Sequence, residues 1–160
     1  MIADKDRCPV TLTSHPSPLP AAFNRSFVAR PRLVREVLQA MTTALARATS
    51  PEHLGRTELV LAELLNNVTQ HGRGRGAGPA PFIHLGVVVQ PQGLACSVSD
   101  DGGLLPRLCL RAPAPDPQDY PEGGFGWYLI GHLTQSLIYF REGERNYLAF
   151  TVPTDAPRPS

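Results

Sequence analysis

Residues 63–76 read ELLNNVTQHGRGRG, and the fold turns on where the helix in this stretch stops and what its polar residues face. Upstream, Ser50 is suited to cap a helix and Pro51 to begin it, while Leu54, Leu61, Leu64, Leu65 and Val68 supply an apolar side. Gly72 is the natural stop. Glu63, Asn67 and His71 then fall at i, i+4 and i+8, a stripe of acid, amide and imidazole beside the apolar face. Taken alone, such a stripe reads first as the solvated side of an amphipathic helix. The run GRGRGAG (72–78) contains G-x-G, yet it follows a helix and precedes a strand. A phosphate cradle needs the reverse order, because a helix N-terminus presents free N–H groups and the positive end of the dipole. The glycine run reads as a connector, and the polar stripe is the half with chemical content.

Working outward, Leu33, Val34, Val37, Leu38, Met41, Ala44, Leu45 and Ala48 recur at steps of three and four behind Pro31, which predicts another helix. Before it, FNRSFVAR (23–30) reads as an edge strand after the proline-broken SHPSPLPAA (14–22). On the other side, PFIHLGVVV (81–89) and LACSVSD (94–100) alternate about the turn PQG and predict a hairpin. Residues 103–122 hold five prolines and no period, so a long loop is expected. FGWYLIGHLTQ (125–135) predicts a helix, and SLIYFREGERNYLAFTVP (136–153) a second hairpin about REGER. This order is that of an α+β domain, a two-layer sandwich with a mixed, mainly antiparallel sheet and helices on one face. The domain is expected over 23–153, between an N-terminal extension (1–22), with VTLT (10–13) as a candidate further strand, and a tail (154–160).

The composition excludes several classes. A formal net charge of +1 with scattered arginines gives no reason to expect nucleic acid or an anionic membrane as partner. No run approaches 18 apolar residues, and MIADKDRCPVTLTSHPSPLP lacks the apolar core of a secretory signal. Cys8, Cys96 and Cys109 form no CxxC and suit free thiols in a reducing cytoplasm. His15, His53, His71, His84 and His132 lack metal-site spacing and read as surface or satisfied core histidines. There is no G-x-S-x-G elbow. Tyr128, Tyr139, Phe140, Tyr147 and Phe150 read as core and sheet faces rather than a base-stacking platform.

Two more stretches bear on the stripe. In VSDDGG (98–103), Asp100 ends a predicted strand, where a carboxylate can accept a hydrogen bond from an exocyclic amine. Gly102 there removes the side chain that would block a flat ring, although Asp and Gly are also ordinary turn residues. EGGFGW (122–127) has the polarity that 72–78 lacks, a glycine loop leading into a helix start. Gly123, Gly124 and Gly126 would let backbone N–H groups approach a polyphosphate.

In this order, E-x-x-x-N-x-x-x-H, D-x-G and G-x-G before a helix resemble the N box and the two glycine boxes of the GHKL ATPases, the gyrase, histidine-kinase and MutL type. Within that superfamily the chain looks most like the small stand-alone anti-sigma-factor serine kinases of bacteria, over roughly residues 23–153. In this length a dimerisation and phosphoacceptor domain is not expected, so a sensor histidine kinase is disfavoured. The resemblance implies a Bergerat-type ATP-binding fold, with Glu63 as general base, Asn67 on Mg²⁺, Asp100 on the adenine amine and Gly102 near the base. It also implies that Gly124 and Gly126 close over the phosphates, with 103–122 as the ATP lid. Two positions depart from the pattern. Leu104 stands where a second glycine is usual, and Trp127 replaces a leucine and would stack or pack under the lid.

The implied reaction moves the γ-phosphate of ATP to a serine or threonine of an anti-sigma-factor antagonist with a STAS fold. Phosphorylation would release that antagonist and leave the kinase free to hold a sigma factor, with a homodimer as the implied assembly. Two readings compete. One is a regulatory module that sequesters a sigma factor or another regulator without turnover, and the other is slow ATP hydrolysis.

Overall fold

The computed structural model describes residues 19–71, 78–104 and 125–154. Their elements run β1 (Ala22–Val28), α1 (Pro31–Leu45), α2 (Pro51–His71), β2 (Phe82–Gln90), β3 (Gly93–Asp100), α3 (Phe125–Leu133), β4 (Gln135–Glu142) and β5 (Arg145–Pro153). The strands form one sheet in the order β1-β2-β3-β5-β4. Every pairing in it is antiparallel, so the sheet is uniform where a mixed one was allowed for. Period-two alternation puts Ile83, Leu85 and Val87 of β2, Leu94, Cys96 and Val98 of β3, and Leu148, Phe150 and Val152 of β5 on one buried face. The turn between β4 and β5 is closed by Gly143 at φ 59, a conformation that only glycine adopts without strain.

The helices cover that face. Val34, Val37, Leu38, Met41 and Leu45 are the buried stripe of α1; Leu54, Val60, Leu61, Leu64, Leu65 and Val68 are that of α2. Together with the inner sheet face they make one hydrophobic cluster, each large side chain contributing about 1.5–3 kcal/mol by its burial. The start of α2 is fixed twice. Ser50 Oγ accepts from the backbone N–H of His53 at 3.2 Å, the N-cap bond its position predicts. His53 is itself buried, with Nε2 2.8 Å from the carbonyl of Val152 and Nδ1 2.9 Å from Thr49 Oγ1. Since a carbonyl only accepts, Nε2 carries the proton and Thr49 donates to Nδ1. It is a satisfied core histidine, and it pins α2 to β5.

Several expected features shift or fall outside the described residues. Helix α1 ends at Leu45 rather than Ala48, and Ala48 N–H closes a turn on the Leu45 carbonyl at 2.9 Å. Helix α3 ends at Leu133, and Thr134 turns its hydroxyl back to the Ile130 carbonyl. Of the aromatics, Phe150 is core, whereas Phe140 is half-exposed on the outer sheet face and stacks on Tyr147 with 4.9 Å between ring centroids. The VTLT strand, residues 72–77 of the glycine connector and residues 105–122 of the expected lid lie outside the described residues. Among the described residues no helix is long and apolar enough to cross a membrane.

Candidate active site

The polar stripe of α2 does not face open solvent along its length. Glu63 and Asn67 are half-buried, and only His71, at the last turn, is exposed. They sit against the first turn of α3, where Gly126 is buried. A Cβ on Gly126 would lie 2.5 Å from Glu63 Oε2 and 3.7 Å from Asn67 Nδ2. Glycine at this position is therefore what lets the start of α3 approach the carboxylate and the amide. Two residues of α2 and a distant one of α3 meet at a helix N-terminus, the end of a helix whose free N–H groups favour anions.

The second cluster is built at the strand ends. Asp100 closes β3 on its buried face, opposite Asn146 of β5. Its Oδ1 accepts from the backbone N–H of Gly102 at 2.9 Å and from Asn146 Nδ2 at 3.1 Å. Asn146 Nδ2 also donates to the Gly103 carbonyl at 2.8 Å. On its other side, Asn146 Oδ1 accepts from Tyr139 Oη at 2.7 Å and from Arg141 Nη1 at 2.9 Å, and the same Nη1 donates to the Gly102 carbonyl. Burial raises the Asp100 carboxyl above its ordinary range, and Asp101 adds to this; the bonds from Asn146 and Gly102 and the charge of Arg141 oppose it. A buried acid held by fixed donors at the start of a turn has the chemistry to accept from a ligand hydrogen-bond donor.

The sequence-predicted residues thus gather in two groups: Glu63, Asn67 and Gly126 at the α2–α3 contact, and Asp100 with Gly102 at the end of β3. Gly123, Gly124 and the side chain of Trp127 lie outside the described part, and Leu104 is exposed. Asn146 and Arg141 were not singled out from sequence, and Tyr139 was read there only as a core or sheet-face aromatic. A signal existed for Asn146, since in RNYLAFTVP it occupies the same alternating phase as Leu148, Phe150 and Val152 and is the one polar residue among them. Among the described residues no cluster of three or more His, Cys, Asp or Glu is placed to hold a metal. A hollow of about 390 Å³ lies on the outer sheet face, lined by Asn24, Ser26, His84, Gly86 and Tyr147 among others, and shares no residue with either group.

No curated protein matches the chain. Residues 27–152 match the family model described as the histidine kinase-like ATPase domain, a span that contains both groups and the three described helices. The five-stranded antiparallel sheet with helices on one face is consistent with the ATP-binding fold of that superfamily. On this match and this fold, the chain belongs to the histidine kinase-like ATPase domain family, the GHKL superfamily of ATP-binding ATPases and kinases.

Proposed function

We propose that this chain is an ATP-dependent serine/threonine protein kinase of the anti-sigma-factor type, cytoplasmic and homodimeric. Its substrate in this reading is a STAS-fold anti-sigma-factor antagonist, and it sequesters a sigma factor once that antagonist is phosphorylated. The observation that carries the proposal is the meeting of Glu63 and Asn67 with Gly126 at the start of α3. A carboxylate, an amide and a helix N-terminus are the inventory that phosphoryl transfer asks of a protein, which mainly positions groups and neutralises charge.

In this reading Asp100 accepts from the exocyclic amine of adenine, Gly102 leaves room for the ring, and the start of α3 faces the phosphates. Asn67 offers one side-chain oxygen, which fits Mg²⁺, an ion that keeps most of its waters and takes other oxygens from phosphate. When bound, Mg²⁺ would draw charge from the phosphate oxygens. Glu63 accepts the proton of the incoming serine hydroxyl while its oxygen bonds to the γ-phosphorus. The bond between the γ-phosphorus and the β–γ bridging oxygen breaks, and ADP leaves with the electron pair.

The test is incubation of the purified chain with γ-labelled Mg-ATP and a purified STAS-fold antagonist, followed by mapping of the label. Label on one serine or threonine of the antagonist, absent with Glu63→Gln, is the expected result. ATP binding with inorganic phosphate release and no labelled protein would replace the kinase by a slow ATPase. Binding without either product would leave a regulatory module.

A further inference from the structure

The densest hydrogen-bond network among the described residues that is tied to the site centres on Asn146, which the phosphotransfer chemistry does not use. All four hydrogen-bonding positions of its amide are engaged: Nδ2 donates to Asp100 Oδ1 and the Gly103 carbonyl, and Oδ1 accepts from Tyr139 Oη and Arg141 Nη1. The direction of the amide is fixed by chemistry. A guanidinium only donates, so the atom facing Arg141 must be the oxygen, and the nitrogen is left to face Asp100. Arg141 is anchored in turn by its bond to the Gly102 carbonyl, so both arms of the turn after β3 are tied to β4 and β5.

We infer that Asn146, oriented by Arg141 and Tyr139, is a positioning residue that keeps Asp100 a pure hydrogen-bond acceptor and thereby selects a base bearing an exocyclic amine over one bearing a carbonyl at the same place. The inference rests on the reading of Asp100 as the base-facing acid. A donor held on Asp100 Oδ1 favours the charged carboxylate, which accepts from an amine and repels a carbonyl oxygen. If Asn146 presented an acceptor instead, one proton would be held between the two groups about 3 Å apart, because two facing carboxylates resist joint ionisation. Asp100 would then gain donor character and lose its grounds for refusing a carbonyl.

The experiment measures Mg-ATP and Mg-ITP binding by calorimetry, since ITP carries a carbonyl where ATP carries the amine. Wild type is expected to favour ATP by at least about tenfold, the discrimination typical of one buried charged hydrogen bond. Asn146→Asp, which keeps the side-chain size, should bring the ratio close to one, mostly by weakening ATP. General damage to the fold would weaken both nucleotides together and leave the ratio. Should Asn146→Asp fail to fold, Arg141→Met and Tyr139→Phe free the amide while keeping Asn146, and should lower the ratio by a smaller factor. Equal binding of the two nucleotides by wild type, or an unchanged ratio in the folded variants, overturns the inference. Asp100→Asn separates the two levels: if it weakens ATP while the Asn146, Arg141 and Tyr139 variants keep the ratio, only the positioning role falls. If Asp100→Asn leaves ATP binding unchanged, the reading of the base site falls, and this inference with it.

Discussion

The two halves of the site are held by different forces. At the α2–α3 contact, Glu63 and Asn67 are brought to Gly126 by helix packing, and no hydrogen bond joins either side chain to another described residue. At the strand ends, Asp100 is locked by a backbone N–H and by an asparagine that is itself locked by two further side chains. Among the described residues the first half keeps its polar groups uncommitted, as groups that must trade protons and meet phosphate oxygens need to be. The second half is pre-organised, as a reader of one fixed donor needs to be. Reactivity and recognition are thus divided between a loosely tied pair and a tightly tied one.

The largest expected effect breaks the reactive half. Glu63→Gln keeps shape and removes the base, and should lower phosphotransfer by about 10²–10⁴-fold in a γ-label assay while leaving ATP affinity near wild type. Unchanged transfer would sink the base assignment. Next, Asp100→Asn breaks the recognition half: it should weaken Mg-ATP binding by about 10- to 100-fold in calorimetry, the worth of a hydrogen bond to a charged group. Equal affinity would remove Asp100 from the site.

Gly126→Ala sharpens the comparison because it separates site damage from fold damage. The added methyl meets Glu63 Oε2, the far end of a flexible side chain, so the carboxylate swings aside at little cost to the fold. Helix propensity even favours alanine, by up to about 1 kcal/mol. Thermal unfolding should therefore stay within a few degrees of wild type while transfer drops by about tenfold, as a misplaced group implies. A large fall in stability would show that the contact is structural.

The smallest effect is a pH dependence. Because burial lifts the Asp100 carboxyl above its ordinary value, ATP affinity should decline on acidification at a pH above that at which an exposed aspartate protonates. The sign for stability is opposite. A raised folded-state value contributes stability that is fully present below the unfolded value and is lost as pH rises through the folded one. Calorimetry between pH 7 and 5 checks the first, and the dependence should vanish in Asp100→Asn.

The contrast also explains what was legible. The Glu63–Asn67 stripe was visible because its spacing is local, and an α-helix converts i, i+4 into a shared face with no help from the rest of the chain. The alternation of Leu94, Cys96 and Val98 likewise carried Asp100 onto the buried face of β3. The Ser50 cap and Gly143 turn were legible because capping and positive φ are properties of single residues. Asn146 was overlooked because its partner is 46 residues away and its importance depends on strand register. Which sheet face Phe140 and Tyr147 take was left open for the same reason, since aromatic character alone does not say which face is covered.

By itself, then, the sequence determined the helices, the two hairpins, the α+β class and the chemical types at Glu63, Asn67, Asp100 and Gly126, because periodicity, caps and turns depend on neighbours along the chain. Only the tertiary structure decided that the start of α3 closes on Glu63, that β3 lies between β2 and β5, and that Asn146 holds Asp100. Those outcomes depend on which distant surfaces bury each other and in which register, and the energy that selects them comes from the packed core that all the elements share.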